Sequence, residues 1–112
     1  REVRLRPSSF PRDPYGHLTN QAAHFCLGLG LSAVLWPLWG IPSALVIGAL
    51  YGFLWEGLVQ KWVMPWDSFE DSLHVTTGGA VIVSALSYDW PGLMVMLAVW
   101  GGLLAVGVWR RS

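Results

Sequence analysis

Apolar residues in this chain gather into long blocks instead of alternating with polar ones, and four of the blocks approach the roughly 20 residues that a helix needs to cross a hydrocarbon core. They predict helical spans over about 18–36, 41–63, 71–88 and 92–109. The breaks carry proline and glycine: WPLWGIP after the first block, MPWDS after the second, DWPG after the third. Trp36, Trp39, Trp62, Trp66, Trp90 and Trp109 fall at or near the span ends, where an indole can sit at headgroup level. The fold class that follows is all-α, an integral membrane four-helix bundle.

Polar residues interrupt these blocks in a regular way. In the stretch HLTNQAAH, His17, Asn20, Gln21 and His24 cover roughly 60° of arc at 100° per residue, so they form one stripe on the first helix. Gly28 continues that stripe deeper. Asp67, Glu70, Asp71 and His74 repeat the spacing before and in the third span, with Gly78 at the offset that Gly28 holds. Gly52, Leu54 and Gly57 align with Gly102, Leu104 and Gly107 under the same shift, which suggests two pseudo-repeated helical hairpins. The identities are no more than a Gly- and Leu-rich composition supplies. In the second span Gly48, Gly52, Glu56 and Gln60 follow at i+4 steps and make a narrow face of small and polar groups. An ionised group facing lipid at that depth costs about 2.5–3.5 kcal/mol on insertion scales, so Glu56 is expected to face the bundle.

Composition agrees with a membrane protein: 54% of residues are hydrophobic and 12% charged, too few charges to cover a soluble surface. All the Lys and Arg residues fall on one side of a four-span arrangement. Arg1, Arg4, Arg6 and Arg12 precede the first span, Lys61 ends the second, and Arg110 and Arg111 follow the fourth. The positive-inside rule then places both termini in the cytoplasm of a multi-pass bacterial inner (plasma) membrane protein. Residues 1–16 read as a basic cytoplasmic tail and 17–112 as one transmembrane domain. The formal net charge is zero, which leaves no electrostatic case for nucleic acid. Cys26 is the only cysteine, which excludes a disulfide framework and a Cys-based zinc site.

Depth brings the polar stretches together. The first span begins, the second ends and the third begins on the cytoplasmic side. His17, Asn20, Gln21, His24, Glu56, Gln60, Asp67, Asp71 and His74 are therefore expected to converge on one pocket in the cytoplasmic leaflet. The fourth span, with no charge between Trp90 and Arg110, is expected to supply packing only. Gly28, Gly48, Gly52, Gly78 and Gly102 are the expected close-packing positions, and Ala98, Gly101 and Ala105 join Gly102 on a small-residue face.

These residues resemble the pattern of VanZ-like membrane proteins over about residues 17–85. In that family a His-containing helix is followed by one ending in Glu and Gln, then by an acidic stretch leading into a helix with small residues. The matching pieces are His24 in HFCLGLG, Glu56 and Gln60 in EGLVQ, and Asp71, Gly78 and Gly79 in DSLHVTTGG. The loop KWVMPWDSF lacks the expected Arg, and His74 and Thr77 stand where the family tends to have Asn. The resemblance implies an architecture and a set of candidate residues; one member's name is tied to glycopeptide-antibiotic resistance, and the family's biochemical activity is poorly defined.

Several chemistries fit such a pocket. His24, Glu56, Asp71 and His74 are the candidate ligands of a divalent metal, with Gln21 and Gln60 behind them, although no EXXH or HEXXH motif is present. The polar headgroup of a membrane lipid is the other candidate ligand. Ser68, Ser72, Thr76 and Thr77 are candidate nucleophiles for hydrolysis of a lipid-linked substrate, but such hydroxyls in membrane helices more often bond back to their own backbone. Buried ionisable residues would mark an ion path, but the outer half looks apolar, with LSAVL, SALVIG and GLMVMLAVW offering nothing for an ion to visit. From a different class comes a non-catalytic role, as an accessory or assembly subunit of a larger membrane complex or as a phage holin-like pore former. There the polar cluster is structural and the small-residue faces serve contacts within the chain, a homo-oligomer or a complex.

Overall fold

The computed structural model describes the backbone of residues 12–54 and 65–112, and the side-chain surroundings of 12–54 and 69–112. Helix α1 covers Pro14–Trp39, α2 Ser43–Leu50, α3 Pro65–Leu86 and α4 Trp90–Arg111. The protein is an all-α four-helix bundle. Two of the helices, α1 and α4, are long and apolar enough to cross a membrane.

Local chemistry explains the boundaries. Asp13 caps α1 by accepting the Gly16 N–H at 2.9 Å, and Pro14 takes the first turn, where no N–H is needed. The helix therefore starts before His17 and includes the end of the predicted tail. It also runs through Trp36 and Pro37 to Trp39, beyond the predicted break, and stops only where Gly40 turns to φ 63°, a left-handed value that favours glycine. Pro65 opens α3 in the same way that Pro14 opens α1, so the acidic stretch predicted as loop is already helical. The α3–α4 turn places Tyr88 at φ 58°, and Asp89 caps α4 by accepting the Gly92 N–H at 3.0 Å. After Leu50 the second helix continues as a wider turn over 51–54. The rest of the predicted second span, 55–63, lies outside the described residues.

Contacts give the topology. Ala44, Gly48 and Gly52 meet Gly79, Thr76 and Ser72 in reverse order, so α2 runs antiparallel to α3. Trp100 meets His74 and Arg111 meets Glu70, so α4 is antiparallel to α3 as well. Helices α1 and α3 run alongside each other in the same sense and, among the described residues, share the largest interface, with α2 and α4 each packed against both.

That central interface rests on two glycines. Gly28 lies directly against the Val75 carbonyl and Gly78 directly against the Phe25 carbonyl, so neither position has room for a Cβ. The two contacts exchange under a shift of 50 residues, and Gln21 and Asp71, separated by that same 50, hydrogen-bond across the interface. Gly48 and Gly52 pack as expected, against Thr76 and Ser72. Gly102 does not: nothing lies within 4 Å of where its Cβ would be, and the same holds for Gly101. The close glycine of α4 is Gly107, against the ring of His17. Trp100 and Gly107 define the inward face of α4, and residue 102 is turned well off that line.

The interior mixes apolar side chains, Phe25, Val75, Val81 and Val83 among them, with polar ones. His17, Gln21 and His74 are completely buried, while Val34, Leu38, Ile41, Leu45, Phe53, Met94 and Val95 are at least 60% exposed.

Candidate functional site

The buried polar residues meet in a layer near the end of the bundle that carries the α1 and α3 N-termini. On α1, His17, Gln21 and His24 recur at intervals of four and three residues and so share one face, as the stripe in HLTNQAAH predicts. Asn20, at the edge of the stripe, contributes its main-chain carbonyl. On α3, Glu70, Asp71 and His74 project toward α1 and α4.

Three sets of contacts link these side chains across helices. Gln21 donates its amide to Asp71 Oδ1 at 2.8 Å. His24 Nδ1 lies 2.9 Å from the Asn20 carbonyl, which can only accept, so this nitrogen carries the ring proton. His24 Nε2 then accepts from the Tyr51 hydroxyl at 2.8 Å and stands 3.7 Å from Asp71 Oδ2. A proton taken up at Nε2 would face that carboxylate. Trp100 donates its indole N–H to His74 Nδ1 at 2.9 Å. An indole is a donor only, so the His74 proton sits on Nε2, which is buried and has no acceptor among the described residues; the same is true of Gln21 Oε1 as an acceptor. His17 meets His74 edge to face, with ring centroids 6.3 Å apart.

At the rim of the layer, Arg111 is buried and donates from Nη1 to the Gly107 carbonyl at 3.1 Å, with Nη2 3.5 Å from Glu70 Oε1. The fourth helix therefore does more than pack: Trp100 and Arg111 supply a hydrogen bond and an ion pair to α3. Tyr51 on the wider turn after α2 is a further member that the sequence reading passed over. Trp100 had a signal. Six of the eight Trp mark span ends, and an indole left at mid-span needs a buried acceptor.

The expected pocket is thus brought together in part. His17, Asn20, Gln21, His24, Asp71 and His74 lie in one layer. Asp67 is in α3, but its side chain is outside the described residues, and Glu56 and Gln60 are outside them altogether. The candidate metal set divides: His24 faces Asp71, whereas His74 is engaged by Trp100 and His17. Among the described residues no three His, Cys, Asp or Glu side chains converge as ligands. His17 and His24 lie about 10 Å apart along the helix axis, at 1.5 Å per residue, which separates the two ends of the layer. Of the candidate nucleophiles, Thr76 and Thr77 bond back to the Ser72 and Leu73 carbonyls at 2.8 and 2.6 Å, and Ser72 packs against Gly52. Ser68 lies outside the described side chains.

Trp100 makes two separable contributions, because its ring also stacks on Phe25 at 3.8 Å between centroids. Trp100→Phe keeps an aromatic there and removes the indole N–H. It is expected to lower stability by about 1 kcal/mol, read from thermal unfolding in detergent, while the exposed Trp90→Phe leaves the midpoint unchanged. Comparison with family models, curated proteins and solved structures finds no match for this chain.

Proposed function

We propose that this chain is a small multi-pass protein of a bacterial inner (plasma) membrane, both termini cytoplasmic, that acts without chemistry of its own as an accessory or assembly subunit of a membrane complex. One observation carries the reading. Four polar contacts tie the helices together, joining α1 to α3 (Gln21–Asp71), α1 to the turn after α2 (His24–Tyr51) and α3 to α4 (His74–Trp100, Glu70–Arg111). In hydrocarbon such pairs hold helices in register, and the apolar outer faces are left for lipid or a partner.

A second reading keeps one specific support. His74 Nε2 and Gln21 Oε1 are a buried donor and a buried acceptor on facing helices, neither satisfied among the described residues. A VanZ-like protein that binds a polar headgroup would use them; one that binds a divalent metal would draw on His24, Asp71 and Glu56, because His74 Nε2 carries a proton while Nδ1 accepts from Trp100 and so has no lone pair to offer.

Elemental analysis of the purified protein before and after chelation separates the two. The structural reading expects no stoichiometric metal in either sample, and Glu56→Gln with unchanged stability and expression, since Gln keeps the shape and most hydrogen bonds. Stoichiometric metal that disappears in both His24→Ala and Glu56→Gln would overturn it in favour of a ligand site.

A further inference from the structure

Tyr88 holds a left-handed backbone, φ 58°, in the turn that joins α3 to α4. The Asp89 N–H donates to the Ser84 carbonyl at 2.9 Å and the Tyr88 N–H to the Ala85 carbonyl at 3.2 Å, the pattern that closes a helix on such a residue. Glycine is what this position favours, because a Cβ crowds the neighbouring carbonyl there. A tyrosine stands in its place, and its ring does not pack in the interior: Tyr88 is 78% exposed. Its ring contact is with Trp90, itself 55% exposed, the two rings standing at 80° with centroids 6.0 Å apart. Two aromatic rings at nearly a right angle make an open corner, at the end of the bundle opposite the His layer.

The residue between them is charged. Asp89 is the only Asp, Glu, Lys or Arg between Asp71 and Arg110, and the α1–α2 turn at the same end has none. Asp89 is exposed; its Oδ1 accepts the Gly92 N–H, and among the described residues the carboxylate has no cation beside it. The helix ends do not neutralise it, since α3 presents its carbonyl end and α4 its N–H end to the same turn, so their partial charges offset each other. A carboxylate flanked by two exposed rings is complementary to a cation, which the ring faces attract through their quadrupoles. The carboxylate further favours a cation that carries N–H, because a quaternary ammonium has none to donate.

We infer that Tyr88, Asp89 and Trp90 form a binding site for the primary ammonium of an aminophospholipid headgroup. The inference rests on the membrane-spanning reading, which puts this turn at the outer headgroup level: Glu70 to Leu86 covers about 24 Å at 1.5 Å per residue, most of a hydrocarbon core about 30 Å thick. At that level the membrane itself supplies the cation. The tyrosine at a glycine position is then a ring kept for its ligand at the expense of the turn.

The test is retention of lipid by the full chain, reconstituted in vesicles of equal phosphatidylethanolamine and phosphatidylcholine, extracted in mild detergent and analysed by mass spectrometry. Wild type is expected to retain phosphatidylethanolamine about threefold over its input ratio, the scale of one exposed ion pair. Asp89→Asn keeps the α4 cap, because Asn caps as well as Asp, and should bring the ratio to near unity. Tyr88→Gly removes a ring and gives the turn its favoured residue, so it should lower the enrichment while the midpoint of thermal unfolding does not fall. Tyr15→Leu, at an equally exposed tyrosine of the other end, should behave as wild type. Free ethanolamine at the concentration of the lipid should leave the enrichment unchanged, because the lipid is confined to the headgroup layer; its loss would make a soluble amine the ligand and overturn the lipid assignment. Equal retention of both lipids by wild type, enrichment that survives Asp89→Asn or Tyr88→Gly, or a lower unfolding midpoint in Tyr88→Gly overturns the site. A chain that fails to float with the vesicles overturns the membrane reading instead, and the site with it.

Discussion

Gly28→Ala is expected to destabilise the bundle by about 1–3 kcal/mol, and Gly30→Ala, two residues further on, to stabilise it by about 0.5–1 kcal/mol. The chemical change is the same and the sign is opposite. At Gly28 the added methyl falls on the Val75 carbonyl, and backbone cannot swing aside as the end of a side chain can, so α1 and α3 must separate along their shared interface. At Gly30 nothing lies within 4 Å, so only the lower helix propensity of glycine remains to be removed. Gly78, against the Phe25 carbonyl, should repeat the loss at Gly28. Gly28 and Gly78 share that interface, so the double substitution should depart from the sum of the single effects. Unfolding of the purified variants by a denaturing detergent, followed by circular dichroism, reads all of these. Equal effects at 28 and 30 would mean that the helices do not meet through these glycines.

Loss of the Asp71 carboxylate is the second large effect. Asp71→Leu removes the acceptor of the Gln21 amide and the carboxylate 3.7 Å from His24, and the side chains left behind are buried or half-buried. Leaving a buried donor without its acceptor typically costs about 1–3 kcal/mol, so Asp71→Leu is expected to lower stability by that amount and to reduce the yield of folded protein. Asp71→Asn keeps an oxygen for Gln21 and should recover most of that stability, with a loss nearer 1 kcal/mol. A double substitution, Gln21→Leu with Asp71→Leu, removes donor and acceptor together and should be less damaging than Asp71→Leu alone if the pair is isolated from the rest of the layer. Indifference of the fold to Asp71→Leu would show that the contact with Gln21 carries no weight.

Much of the candidate site was legible beforehand, for a definite reason. Helical periodicity places His17, Gln21 and His24 on one face whatever surrounds them, and with so few charges and such long apolar blocks in the chain that face is expected to turn inward. Gly28, Gly48, Gly52 and Gly78 were recognisable because a small residue continuing a polar stripe marks close approach. The same reasoning failed at Gly102. Composition along α4 offers Ala98, Gly101, Gly102, Ala105 and Gly107 as small positions, and periodicity alone does not say which of the two faces they make is turned toward α1 and α3.

The amino-acid sequence by itself determined the helical class, the number of apolar blocks and the inward stripe of α1, since these depend on side-chain size, polarity and the helical repeat alone. Tertiary structure decided the partners: that Gln21 meets Asp71, that His74 is held by Trp100 while His24 turns to Tyr51, and that Arg111 folds back onto Glu70 and does not merely mark an orientation. Pairing between helices depends on their relative rotation and offset, which carbonyl-to-glycine contacts between α1 and α3 set, and no local pattern encodes a distance between residues 50 positions apart.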